Sequence, residues 1–138
     1  MSGALEGIRV LDLSTGIAGP MAAMFMADFG AEVVKVEPPG GDTARCMAGF
    51  AVWNRNKRGI VVDRGCEPGR RRLFEFVAGA DVCVTSELGP DLDPSALSER
   101  YPELIVLHMP PYVPTETPWP GMAESHGMLS ALAGPACR

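Results

Sequence analysis

Apolar residues occur along this chain in short runs separated by clusters of turn formers, and residues 5–37, LEGIRVLDLSTGIAGPMAAMFMADFGAEVVKVE, set the pattern. Ile8, Val10, Leu11 and Leu13 predict a first strand, apolar enough for burial on both faces. Residues 14–19 are small and predict a tight loop. Pro20 suits the first turn of a helix, where a missing N–H costs nothing. Met21, Met24, Phe25 and Phe29 recur at helical spacing and mark one apolar face, which Asp28 interrupts near the end. Gly30 predicts a left-handed cap, and residues 31–36 a second strand closed by Glu37. A strand–helix–strand unit this short implies parallel strands and a right-handed crossover.

The alternation continues. PPGGDTAR, residues 38–45, reads as a loop. Residues 48–53 read as a short piece that packs Phe50 and Trp53, and residues 54–58, NRNKR, form a polar basic cluster. Strands are predicted over 59–63, 81–85 and 104–107, with helices over 69–78 and 94–101. Residues 109–138 are irregular at first and rich in proline, which cannot join a sheet centre, with a final helix over 125–133. There is no internal repeat and no linker, so residues 1–138 read as one partial domain.

This order predicts an α/β fold: an open, Rossmann-like, mainly parallel sheet with helices on both faces. Ligands of such sheets sit at the carboxyl ends of the strands. That rule selects four loops, residues 14–19, 37–45, 63–66 and 85–89. The first is glycine-containing but lacks GxGxxG, so from its residues alone it is a plain tight turn.

Composition narrows the function. With 46% hydrophobic residues the 138-residue chain can build a core. Twelve Lys and Arg against 17 Asp and Glu give a net charge of −5, which argues against a nucleic-acid partner. The longest apolar stretch, residues 17–27, is too short to span a bilayer. No basic leader precedes an apolar run, so a cytoplasmic location is expected. Cys46, Cys66, Cys83 and Cys137 are scattered without a CxxC pair and read as free thiols, Cys83 buried in a strand, with no metal site.

Several segments together resemble the N-terminal part of the family III CoA-transferases, which include formyl-CoA and carnitine-CoA transferases and α-methylacyl-CoA racemases. They are LEGIRVLDLSTGIAGP, ADFGAEVVKVEPPGGD with Arg45 following, NRNKRGIVVD, GADVCVT and YPELIVL, in this order. The resemblance implies the Rossmann-like half of a large domain, in a fold where two long chains interlock as rings. It implies that the adenosine and phosphates of CoA lie over the strand ends. By position the CoA contacts would be Ile17 and Ala18, then Pro38, then Val62, Asp63, Arg64 and Gly65, and finally Ser86, Glu87 and Leu88.

Departures from the family qualify that expectation. Pro38 stands where several relatives carry a basic residue, and Gly65 stands at another such position, with Arg64 adjacent. The family's segment N-x-x-P-G-x-x-x-R-L-G is shortened to SELGPDLDPSAL, without a counterpart to its CoA-facing Arg, and Glu87, Asp91 and Asp93 lie nearby. Each missing charge-assisted hydrogen bond costs roughly 1.5–3 kcal/mol of binding. CoA or an acyl-CoA is thus expected as a weakened ligand, with no tightly bound cofactor. The family's nucleophilic Asp follows the stretch matched by HGMLSALAG, so no catalytic residue is assigned within these 138 residues.

His126 matches the base His of the racemases in position, but Gly127 and Met128 follow it where the racemases continue differently, so it reads as a helix-start or surface histidine. His108 reads as structural, Asp12 and Glu37 as ligands of loop backbone, and 56–58 equally as a loop brace or a phosphate contact. Two function classes follow: the N-terminal part of an acyl-CoA:carboxylate CoA-transferase that is inactive alone, or a non-catalytic remnant or interaction subunit. A racemase fragment is a third reading. Apolar faces left over by a partial domain imply a homo-oligomer or a complementary transferase chain, with Met21, Met24, Phe25, Leu129 and Leu132 nearest the exposed patch.

Overall fold

The structure, a computed structural model, describes residues 3–86 and 92–110. The expectations for Glu87, Leu88, Asp91, His126, Leu129, Leu132, Cys137 and the helix over 125–133 lie outside these residues.

Five strands form one wholly parallel sheet in the order β3-β2-β1-β4-β5. They are β1 Arg9–Asp12, β2 Glu32–Glu37, β3 Lys57–Val61, β4 Val82–Thr85 and β5 Ile105–His108. The helices are α1 Ala18–Asp28, α2 Phe50–Trp53, α3 Glu67–Ala78 and α4 Pro94–Arg100, with a 3-10 turn at Thr43–Cys46. Each strand lies within two residues of its predicted place, and helices cover both faces of the sheet.

Side chains alternate across a strand, so the sheet sorts its residues into two layers. Leu11, Leu13, Val36, Val62 and Cys83 meet Leu73 and Val77 of α3 and Leu97 of α4. Val10, Val33 and Val84 meet Ala23 of α1. Cys83 is fully buried, and burial first, then the Asp12 charge, pushes its thiol up to about 12, so it stays protonated.

Helix α1 corrects the sequence reading. It begins at Ala18, two residues before Pro20, and buries Gly19, Pro20, Ala23 and Met24. Met21 and Phe25, expected near the exposed patch, are exposed, as is Phe29, whereas Met24, expected there too, is buried. The reason is clearance. A Cβ on Gly19 would overlap the Ser14 side chain, so the helix approaches the sheet on its small residues and turns its large ones away. Gly30 does take the expected left-handed conformation, with φ +100°. In α3 the helix starts at Glu67 rather than 69, and Pro68 sits inside its first turn.

Candidate functional site

The chain runs from β1 outward to β3 and then returns to β4 on the other side of β1. This reversal makes the crevice between β1 and β4 the topological switch point, where open α/β sheets bind ligands. Hydrogen bonds join its walls: Leu13 N donates to Val84 O at 2.8 Å, Thr15 N donates to Ser86 Oγ at 3.0 Å, and the Thr15 and Ser86 hydroxyls lie 3.4 Å apart. Residues 14–19 of the first loop and Ser86 of the fourth therefore share one rim. The N-cap of α1, Ile17, has no side-chain cap, so the positive end of the helix opens onto that rim without a neutralising group of its own. Ile17 is half-buried and Ala18 exposed.

The other expected contacts extend along the same edge. Pro38 is exposed just beyond β2. Val62 N donates to Glu37 O at 2.9 Å, which keeps the second and third loops side by side. The Val62 side chain belongs to the core at 3% exposure, so only its backbone is available to a ligand at this edge. Asp63 and Gly65 are exposed, and Asp63 Oδ1 accepts from Gly65 N at 2.9 Å to shape the turn. Arg64 is half-buried. Strand β3 lies two strand spacings from β1, about 10 Å, so the row of strand ends suits an extended ligand rather than a compact one.

Beneath this rim lies a set of buried ions that the sequence reading did not assemble. Asp12, Lys35 and Glu37 point to the α1 side of the sheet, and Lys57 reaches in from β3. Lys57 Nζ lies 2.7 Å from Asp12 Oδ2 and also donates to Pro20 O at 2.8 Å and Asn54 Oδ1 at 3.0 Å. Asp12 Oδ1 accepts from the Ser14 backbone N–H at 3.1 Å and from the Ser14 hydroxyl. Lys35 Nζ lies 2.9 Å from Asp42 Oδ2, an ion pair outside good hydrogen-bond alignment, and donates to Ser14 O at 2.8 Å. Asp42 Oδ1 caps the 3-10 turn through Ala44 N at 2.8 Å. Burial pulls the Lys57 ammonium below its ordinary value, and the Asp12 carboxylate opposes that.

Asp12 and Glu37 do bond loop backbone as expected, and each also holds a cation. Neither carboxylate is left over for acid–base work. The basic cluster resolves the same way: Lys57 braces β1 and α1, Asn56 Nδ2 donates to Asp28 Oδ1 at 2.8 Å, and Arg55 pairs with Asp28. Among the described residues no group of three His, Cys, Asp or Glu could hold a metal ion. A signal for this layer was present, because Asp12 and Lys35 are charges inside otherwise apolar strands and such charges are seldom buried unpaired.

Glu37 carries a pH dependence. The Arg45 guanidinium, at 2.6 Å from Nε and 2.7 Å from Nη2, and the Asp42 N–H hold its carboxyl below its ordinary 4.5, against the opposing effect of burial. A depressed folded-state pKa stabilises the fold above the unfolded value and loses that contribution as pH falls through the folded one. Acid unfolding should therefore steepen below about pH 4.5. Glu37→Gln should flatten that part of the stability–pH curve, and an unchanged curve in urea titrations would contradict the assignment.

Known proteins share this architecture and its sequence. Residues 5–137 match CoA-transferase family III. The chain is 34% identical over 137 residues to the CoA-transferase/lyase DddD of Marinomonas sp., covering 94% of this chain and 16% of that protein. It is 34% identical to the cinnamoyl-CoA:phenyllactate CoA-transferase of Clostridium sporogenes, covering 78% of this chain and 30% of the relative. A probable fatty acyl-CoA transferase of Mycobacterium tuberculosis is likewise 34% identical, with 78% and 32% covered. A crystal structure of the same Mycobacterium tuberculosis protein superposes with a TM-score of 0.80 at 33% identity, over 96% of this chain and 40% of that one. The chain thus spans less than a third of the length of each of these curated relatives. Its sequence over nearly all 138 residues and its parallel sheet place the chain in CoA-transferase family III.

Proposed function

We propose that these residues form the CoA-binding N-terminal part of an acyl-CoA:carboxylate CoA-transferase, and that they catalyse no transfer alone. The observation that carries this reading is the Thr15–Ser86 hydrogen bond at the switch point, which holds two loops together beside the uncapped start of α1. The adenosine and phosphates of a CoA thioester lie along the row of strand ends, over Ile17, Ala18, Pro38, the backbone of Val62, Asp63, Arg64, Gly65 and Ser86. The family resemblance adds Glu87 and Leu88 to these contacts. Binding is weak, because Pro38 and Gly65 offer neither charge nor a side-chain donor. The relatives named above act on CoA thioesters by their names, which supports the ligand class.

Among the described residues no nucleophile is assigned, and the buried carboxylates Asp12, Glu37 and Asp42 are committed to Lys57, Arg45 and Lys35. The test is label transfer between an acyl-CoA and an acceptor carboxylate. The chain alone is expected to give none, and turnover that co-purifies with the chain through several columns would overturn the reading.

A second reading, an interaction subunit, draws on the exposed stripe of Met21, Phe25 and Phe29 along α1. In either case the chain works with a second copy or a complementary transferase chain, in the cytoplasm, without nucleic acid. No helix among the described residues is long and apolar enough to cross a membrane. A cleanly monomeric chain in sedimentation, with no binding of an apolar-surface dye, would contradict the need for a partner.

A further inference from the structure

We propose that Arg45 is the phosphate-binding group of the second loop and contacts a phosphate of the CoA thioester. This rests on the CoA-binding reading above and adds a residue to it.

Residues 38–45 contain one cation, Arg45, and begin with two prolines that have no N–H to donate. The guanidinium is held on two sides. Its Nε and Nη2 form a fork on Glu37 at 2.6 and 2.7 Å, and its Cζ lies over the Phe50 ring, 4.9 Å from the centroid. Gly41, at φ +78°, gives the side chain room: a Cβ there would come within 2.9 Å of Arg45 Cδ. The loop beneath is anchored as well, since Arg45 N donates to Asp42 O at 3.0 Å and Asp42 is tied through Lys35 to Ser14 of the first loop.

Despite these contacts the side chain is 58% exposed, and among the described residues its Nη1 nitrogen has no acceptor. A surface arginine that only braced Glu37 would need neither the ring nor the buried foundation under its loop. The Nε–Nη2 edge is spent on the carboxylate, which leaves Nη1 of a half-exposed, held guanidinium for planar recognition of a phosphate. Fixing the side chain beforehand also lowers the entropy lost when a ligand arrives. Glu37 offsets part of the positive charge, so what Arg45 supplies is directional donors, in addition to the helix end at Ala18.

The experiment is calorimetry with CoA on the unchanged chain, Arg45→Gln and Arg45→Lys, with folding checked by circular dichroism and the ligand followed by phosphorus NMR. Arg45→Gln is expected to weaken CoA about tenfold or more, as removal of one charge-assisted hydrogen bond implies. Arg45→Lys, which keeps a charge but no fork, should fall between. At saturating CoA, one phosphorus resonance should lose its bound shift in Arg45→Gln while the others keep theirs. Unchanged affinity in the folded variant overturns the proposal and leaves the CoA reading standing. Uniform loss of every phosphorus shift at saturation also overturns it, because a purely structural role would act that way. An unchanged chain that gives no heat with CoA overturns both. If Arg45→Gln does not fold, Arg45→Lys decides by the same criteria.

Discussion

Lys57→Met is expected to lower the unfolding free energy by about 3–5 kcal/mol, the range for removing one partner of a buried ion pair. The Lys57 and Asp12 side chains are 2% and 0% exposed. Without the ammonium, the Asp12 carboxylate keeps the Ser14 donors but loses its ion-pair partner, and Pro20 O and Asn54 Oδ1 lose their donor as well. A domain of this size holds about 5–15 kcal/mol in total, so the variant should be near the edge of folding. Adding Asp12→Asn should recover part of the loss, because the stranded charge is then gone. Urea unfolding of both variants measures this. A loss below about 1 kcal/mol, as for a surface pair, would mean that water reaches the site.

Gly19→Val should cost about 1–3 kcal/mol or more, as overpacking of a filled interior does. The new side chain would overlap Ser14 Cβ and Oγ, and Ser14 is fully buried and bound to Asp12, so it cannot step aside. Either α1 lifts from β1, which opens the switch-point rim, or Ser14 leaves Asp12, which undoes the ion layer below. Stability and ligand binding should therefore fall together. A stable variant whose loop hydrogen bonds remain protected in hydrogen exchange would show that the close approach of α1 is not needed.

These same residues mark how far the sequence could be read. Strand and helix order was legible, because apolar runs and turn formers alternate cleanly from Ile8 to Leu107 and local patterning sets that order. The orientation of α1 was not. Period counting weights Met21, Phe25 and Phe29 heavily, whereas the helix docks on Gly19, Pro20 and Ala23, and closeness between backbones leaves little trace in hydropathy. The ion layer was half legible. Asp12 and Lys35 are charges within apolar strands, a signal the residues carry by themselves, but Lys57 is 45 residues from Asp12 and lies, along the chain, within a polar cluster. Only the register of β1, β2 and β3 brings the three together. The candidate site followed from general rules up to the four loops. Assigning CoA to them needed the family resemblance, since no single loop carries a phosphate motif.

The most direct test of CoA binding at this sheet edge is calorimetry of the chain and of Ala18→Trp with free CoA. Ala18 is exposed in the first turn of α1, so the indole can be accommodated by the fold while it fills the rim between the first and fourth loops. The prediction is binding weaker than micromolar to the unchanged chain and none to the folded variant. Micromolar binding that Ala18→Trp leaves untouched would place CoA elsewhere and contradict the site.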